Sequence, residues 1–258
     1  MTHSLMQAAA RWPAHGPRYL ETVRYLAENA NRLVVEPWNT VSCLLFLALA
    51  AFWLVRLRGQ YRRHAFLAAC LPLVAIGGVG GTVYHAFRSH GVWLMMDWMP
   101  ILALCIAVSV YLWSKLTRHW WLALVVILAV IAGRGVMFRL QPHRHHGTGI
   151  MLGYALMGVL ISLPAVGVLW KTHLRHGTYL LLALIFFAIA ITMRTTDAWW
   201  PGAFPMGTHW LWHVFGAGAG QMVAEYLYRL PGSLRRIQVA GTPAVASDLG
   251  GGGPGAGS

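Results

Sequence analysis

The chain has 258 residues, 57% of them hydrophobic and only 10% charged, with a formal net charge of +13. Soluble globular domains carry charge on about a quarter of their residues, so this composition excludes one and implies an integral membrane protein. The basic residues lie mostly in short connections with no interleaved aromatics, which argues for membrane topology and headgroup contact and against nucleic-acid binding.

Residues 1–33 form a polar N-terminal segment holding Arg11, Arg18, Arg24 and Arg32, expected in water or along the interface and partly helical over Tyr19–Asn29. The first apolar run begins near Val34 and is long enough to span, so no cleavable signal peptide is expected. Seven apolar segments follow, at about 36–56, 65–86, 92–113, 119–138, 149–170, 178–196 and 207–228. Each is close to the roughly 20 residues that a spanning helix needs. The pattern predicts an all-α membrane protein, a bundle of seven transmembrane helices over residues 34–229, with antiparallel neighbours and a flexible, glycine-rich tail at 230–258. Cys43, Cys70 and Cys105 all fall inside apolar segments, with no CxxC spacing and no placement for a loop disulfide.

Basic residues are in excess on the side holding Arg56, Arg58, Arg62, Arg63, Lys115, Arg118, Lys171, Arg175, Arg229, Arg235 and Arg236. The positive-inside rule therefore predicts a cytoplasmic C-terminus and an N-terminus outside.

Ionisable groups at membrane depth are costly, so each is a functional candidate. Glu36 opens the first segment, in Glu36-Pro37-Trp38-Asn39-Thr40. His85 ends the second, after a glycine run with Gly77, Gly78, Gly80 and Gly81; Asp97 lies early in the third. The seventh segment opens with Gly207-Thr208-His209-Trp210-Leu211-Trp212-His213. His209 and His213 are four apart and share one helix face. Two readings of that pair are open: metal ligands, or aromatic-belt residues at an interface. Alternation of helix direction favours the ligands, because it sends Glu36, Asn39, His85, Asp97, His209 and His213 to the same leaflet. Three neutral imidazoles hold Zn²⁺ without cancelling its charge, and the ion then lowers the pKa of a bound water to about 7. Asp97 is the best-placed acid to accept and redeliver that water's proton. Glu36 with Asn39 serves as support for the ligands or as a structural clamp. The glycines of the second segment and Gly216, Gly218 and Gly220 of the seventh suggest close packing of those two helices. Arg134 suits a lipid headgroup, Arg194 and Asp197 suit a mutual ion pair, and the His-rich loop Gln141–His146 reads as solvated interface.

The ordered set Glu36-Pro37-Trp38-Asn39-Thr40, the glycine run ending in His85, Asp97 followed by Pro100, and His209-x-x-x-His213 resembles the alkaline ceramidase family. That family belongs to a superfamily of seven-helix membrane hydrolases that includes adiponectin-receptor-like proteins. The resemblance covers nearly the whole chain. It implies Zn²⁺ on His85, His209 and His213, acid/base chemistry by Asp97, and cleavage of the amide of a ceramide-like membrane lipid to sphingoid base and fatty acid. The family's serine four residues before the histidine of the second helix is Gly81 here, and Thr82, a possible substrate contact with Trp38 and Arg134, is about 100° round the helix from it. The Ca²⁺ site of eukaryotic members would have to draw on Glu28, Asn31, Glu36 and Asn39. Two other expectations compete with the amidase: an esterase or phospholipase of the same superfamily, and a receptor or transporter in which zinc is a structural clamp. A structural zinc is normally closed by four protein ligands, so a fourth ligand would favour the clamp.

Overall fold

The computed structural model describes residues 16–28, 33–117, 121–140 and 146–240, and among these all the regular structure is helical. In chain order the helices are α1 (Leu20–Glu28), α2 (Pro37–Arg56), α3 (Ala65–Phe87), α4 (Gly91–Leu116), α5 (Trp121–Leu140), α6 (His146–Lys171), α7 (Gly177–Thr195) and α8 (His209–Ala240). Local chemistry sets several boundaries. Pro37 opens α2, where its missing N–H costs nothing. His90 caps α4 by accepting from the Val92 N–H through its ring nitrogen.

Among the described residues, five helices are long and apolar enough to cross a membrane: α2, α3, α4, the stretch Gly153–Lys171 of α6, and α7. The expected spans at 119–138 and 207–228 are not among these. Within α5 the described residues Trp121–Gly133 form an apolar stretch. α8 is long but polar, carrying His209, His213, Gln221, Glu225 and Arg229 along its length.

α2 packs against both α3 and α8, α3 against α4, α4 against α6, and α7 extensively against α8. α3 and α8 scarcely meet, so the glycine-to-glycine packing expected between them is not what forms. A side chain at Gly80 would run into α4, with the Asp97 backbone N only 2.8 Å from the position of its Cβ. Gly78 faces Leu47 of α2, Gly216 and Gly220 face Phe46 and Leu49 of α2, and Gly218 faces Phe186 of α7. The small residues thus press α3 onto α4 and leave α2 as the wedge between α3 and α8.

The apolar cores lie at one end of the bundle. Val108, Leu112, Ala165, Val168, Tyr226, Leu227 and Leu230 form one cluster, and Trp53, Leu57, Leu67, Leu71 and Ala224 another. Beside them Glu225 pairs with Arg56 and Arg229. The other end, where α2, α4 and α8 begin and α3 finishes, is built from buried polar groups instead.

Candidate metal centre

At that polar end Glu36, Asn39, His85, His209 and His213 are each no more than 2% exposed. Buried polar groups must be paired or bind something, so each of their atoms requires a partner. His85 has Nδ1 at 2.5 Å from Glu36 Oε2. A carboxylate only accepts, so Nδ1 carries the proton and Nε2 keeps its lone pair. That Nε2 is buried with no hydrogen-bond partner. His213 is held in the same way by a neutral group. The Ser42 hydroxyl donates to the Asn39 carbonyl at 3.0 Å and leaves its oxygen to accept from His213 Nδ1 at 2.7 Å. The Nε2 of His213 therefore also keeps a lone pair, the tautomer that metal ligation needs.

The ligand atoms of Cys43, His85 and His213 all lie within 4.8 Å of one another, and the three could hold a metal ion. Cys43 Sγ is 3.5 Å from His213 Nδ1 and 3.7 Å from its Nε2. Sulfur and nitrogen ligands of a tetrahedral zinc, at their usual bond lengths, stand about 3.5 Å apart. His209 adjoins this trio, its ring centroid 5.4 Å from that of His85 and 4.7 Å from that of His213, with Nδ1 buried and unpartnered. The structure thus gathers the three histidines expected from the sequence and adds a thiol that the sequence reading passed over.

Asp97 stands beside the group and outside the trio. A Cβ at Gly81 would lie 2.6 Å from Asp97 Oδ1 and 2.9 Å from Cys43 Sγ, so carboxylate and thiol converge on the space a side chain there would need. Unlike the histidines, Asp97 is half-buried.

The described part of the N-terminal segment, residues 16–28, closes the centre over its polar end. Tyr19 stacks on His209 with centroids 3.6 Å apart. Glu21 accepts from the Trp38 and Asn39 N–H groups at 2.8 and 3.1 Å, capping the first turn of α2. Burial pushes the Glu21 carboxyl up to about 7, although those two N–H groups favour its charge. Thr22 donates to Glu36 Oε1, which also takes Arg88 at 2.6 Å. Arg88 ends α3 at φ 46°, a left-handed conformation that turns the chain back towards Glu36. Asp197 does not pair with Arg194. Its Oδ1 accepts from the Thr208 and His209 N–H groups, each at 2.8 Å, and its Oδ2 from Leu20 at 2.7 Å, tying α1 to the start of α8. Burial raises the Asp197 pKa against the pull of those bonds. Arg194 instead lies over the rings of Tyr154 and Trp212, at 5.1 and 5.3 Å.

Six other expected residues take other places or lie outside the described residues. Both Glu36 oxygens are taken, Oε2 by His85 and by Asn39 Nδ2 at 3.1 Å, so the carboxylate is not available to Ca²⁺. Glu28 is exposed at the end of α1, away from Glu36, and Asn31 lies outside the described residues. Thr82 gives its hydroxyl hydrogen to Gly78 of its own helix at 2.7 Å, which removes it as a donor to substrate. Trp38 is half-exposed beside Trp210, with centroids 5.6 Å apart. The Arg134 side chain and residues 141–145 of the His-rich loop also lie outside the described residues.

No known protein family, characterised protein or solved structure matches the chain.

Proposed function

We propose that the chain is a zinc-dependent hydrolase set in the membrane as a seven-helix bundle, with α5 and α8 completing the five apolar spans. In this reading it cleaves the N-acyl amide of a ceramide-like lipid to a sphingoid base and a fatty acid. The observation that carries it is the bare, buried Nε2 of His85, backed by Glu36 and facing a second and a third imidazole, with a carboxylate standing just outside the ligand group. A donor set of imidazole and thiol suits zinc, and a backing carboxylate fixes both the tautomer and the basicity of its histidine. When bound, the ion supplies a Lewis acid and activates water near neutral pH.

The chain's own groups supply the rest. Glu36 and Ser42 hold the Nδ1 protons of His85 and His213, so neither ring turns its lone pair away. Asp97 Oδ1 takes a proton from the attacking water and returns it to the leaving amide nitrogen. The half-buried position of Asp97 on the apolar helix α4 suits a lipid arriving sideways from the bilayer. The polar end faces outward, with the C-terminus in the cytoplasm, following the excess of basic residues at the other end.

The deciding experiment measures metal content of the purified full-length protein and the release of sphingoid base from ceramides by mass spectrometry. About one zinc per chain with turnover is expected. A zinc-loaded protein inactive on ceramides, lysolipids and phospholipids refutes the hydrolase. Cys43 favours a second reading, a metal clamp in a receptor or transporter, because a thiolate added to three imidazoles closes a tetrahedral ion. X-ray absorption separates the two: a sulfur neighbour at about 2.3 Å together with three nitrogens marks the clamp.

A further inference from the structure

The far end of the bundle, away from the histidines, carries a second feature that the hydrolase reading leaves unused. A cavity of ≈480 Å³ opens there between the α2–α3 connection, the α6–α7 connection and the last turns of α8. Arg63 and His64 line it from the first, Arg175 and His176 from the second, and Arg229 and Ser233 from α8. Among the described residues no acidic side chain lines it. The nearest carboxylate along α8, Glu225, is already held by Arg56, Arg229 and Gln221. Arg63 and Arg175 are exposed and have no acceptor among the described residues.

We infer that this cavity is a binding site for a phosphate ester, with Arg63 and Arg175 as its principal cations. Planar guanidinia converging on a cavity match the paired oxygens of a phosphate better than they match a single carboxylate. The connection that presents Arg175 is tightly built. His173, Leu174 and His176 all take left-handed conformations, at φ 52°, 58° and 61°, and the turn is pinned by Leu174 N to Leu169 O at 2.8 Å. Such conformations are unfavourable for residues other than glycine and persist only where the surroundings fix them, so the backbone that presents Arg175 is set by the turn. On the other wall His64 stacks on Tyr228 with centroids 4.3 Å apart, fixing the segment that carries Arg63. Leu174 in the same connection and Trp170 in the last turn of α6 are 69% and 81% exposed, an apolar surface near Arg175 in the chain for the acyl part of a lipid.

The test places the full-length protein in phosphatidylcholine nanodiscs with and without a minor fraction of phosphatidic acid and counts retained lipid by native mass spectrometry. Preferential retention of phosphatidic acid is expected. R63Q/R175Q should weaken it by at least about tenfold, since each cation contributes to attraction of an anionic headgroup. R58Q/R62Q removes the same charge from exposed positions outside the cavity and should leave the preference in place. Glycerol 3-phosphate supplies the second arm. If it displaces the lipid or raises the melting temperature of wild type but not of R63Q/R175Q, the site takes soluble phosphate esters. If it does neither while the lipid preference stands, the site is specific for lipid headgroups. Equal losses in the two double variants, or no response of wild type to either ligand, overturns the inference.

Discussion

Glu36 and His85 face each other across 2.5 Å with both side chains wholly shut off from solvent. This contact sets the state of the histidine ring, and the carboxylate also carries Arg88, Thr22 and Asn39. Replacing it therefore acts on metal binding and on folding together. Glu36→Gln keeps the size but offers one acceptor oxygen in place of two, and it leaves Arg88 without its counter-charge. Metal affinity should fall about 10- to 100-fold, as for other groups that back a ligand. The melting temperature should fall as well, because a buried cation has lost its counter-charge. Equilibrium dialysis against a zinc buffer, with a thermal melt on the same sample, checks both. Unchanged affinity would remove Glu36 from the support of the metal.

Asp97→Asn separates chemistry from binding. The amide has the size and hydrogen-bonding reach of the acid but cannot accept the water's proton. Zinc should stay at wild-type stoichiometry, since Asp97 stands outside the ligand trio. Hydrolysis of a ceramide should drop by at least about 10²-fold, the usual cost of losing a positioned acid/base group. Loss of zinc in this variant would instead make Asp97 a ligand, and full activity would exclude it from the mechanism.

Gly81 and Cys43 form a coupled pair. A methyl group at 81 would sit 2.9 Å from Cys43 Sγ and 2.6 Å from Asp97 Oδ1, closer than side chains tolerate. Gly81→Ala should cost about 1–3 kcal/mol, the range for overpacking a well-filled core. Cys43→Ala removes one of the two obstructions. The double variant should thus lose less than the two single variants together, by at least about 0.5 kcal/mol in a double-mutant cycle. Simple additivity in denaturation of the purified protein would show that the thiol does not fill that space.

Topology can be read with two single cysteines on a background lacking Cys43, Cys70 and Cys105. Gly202→Cys, in the exposed connection near the polar end, should react with an impermeant maleimide on intact cells. Arg62→Cys, at the basic end, should react only after permeabilisation. The opposite pattern inverts the bundle in the membrane.

Much of the polar end was legible from the chain itself because depth in a membrane follows from helix direction. Glu36, His85, His209 and His213 had to share a leaflet once the helices alternated, and they lie within a few ångströms of each other. What alternation does not provide is rotation about each helix axis or the order of helices around the bundle. Ser42 and Cys43 enter the centre because α2 is wedged between α3 and α8, an arrangement set by which neighbour each glycine meets. A cysteine in an apolar helix carries no periodic signal to distinguish it from Cys70, which is buried in the same way elsewhere. The contacts of residues 16–28 were not legible either. Their polarity suggested water or the interface and did not show that Glu21 and Thr22 satisfy the start of α2 and the Glu36 carboxylate. Asp197 looked like the partner of Arg194 by spacing, yet the open N–H groups at the start of α8 were the stronger claim on it.

The contrast between the sealed histidines and half-buried Asp97 bears on how rates must be measured. With Tyr19 stacked over His209 and Asp97 carried on an apolar helix, the proposed lipid substrate reaches the carboxylate from the bilayer and not from water. The concentration that governs turnover is then two-dimensional. Diluting a ceramide with inert detergent at constant total amount should slow the reaction in proportion to its mole fraction in the micelle. Diluting the whole sample with a solution of the same micelles at unchanged mole fraction should leave the rate per enzyme molecule alone.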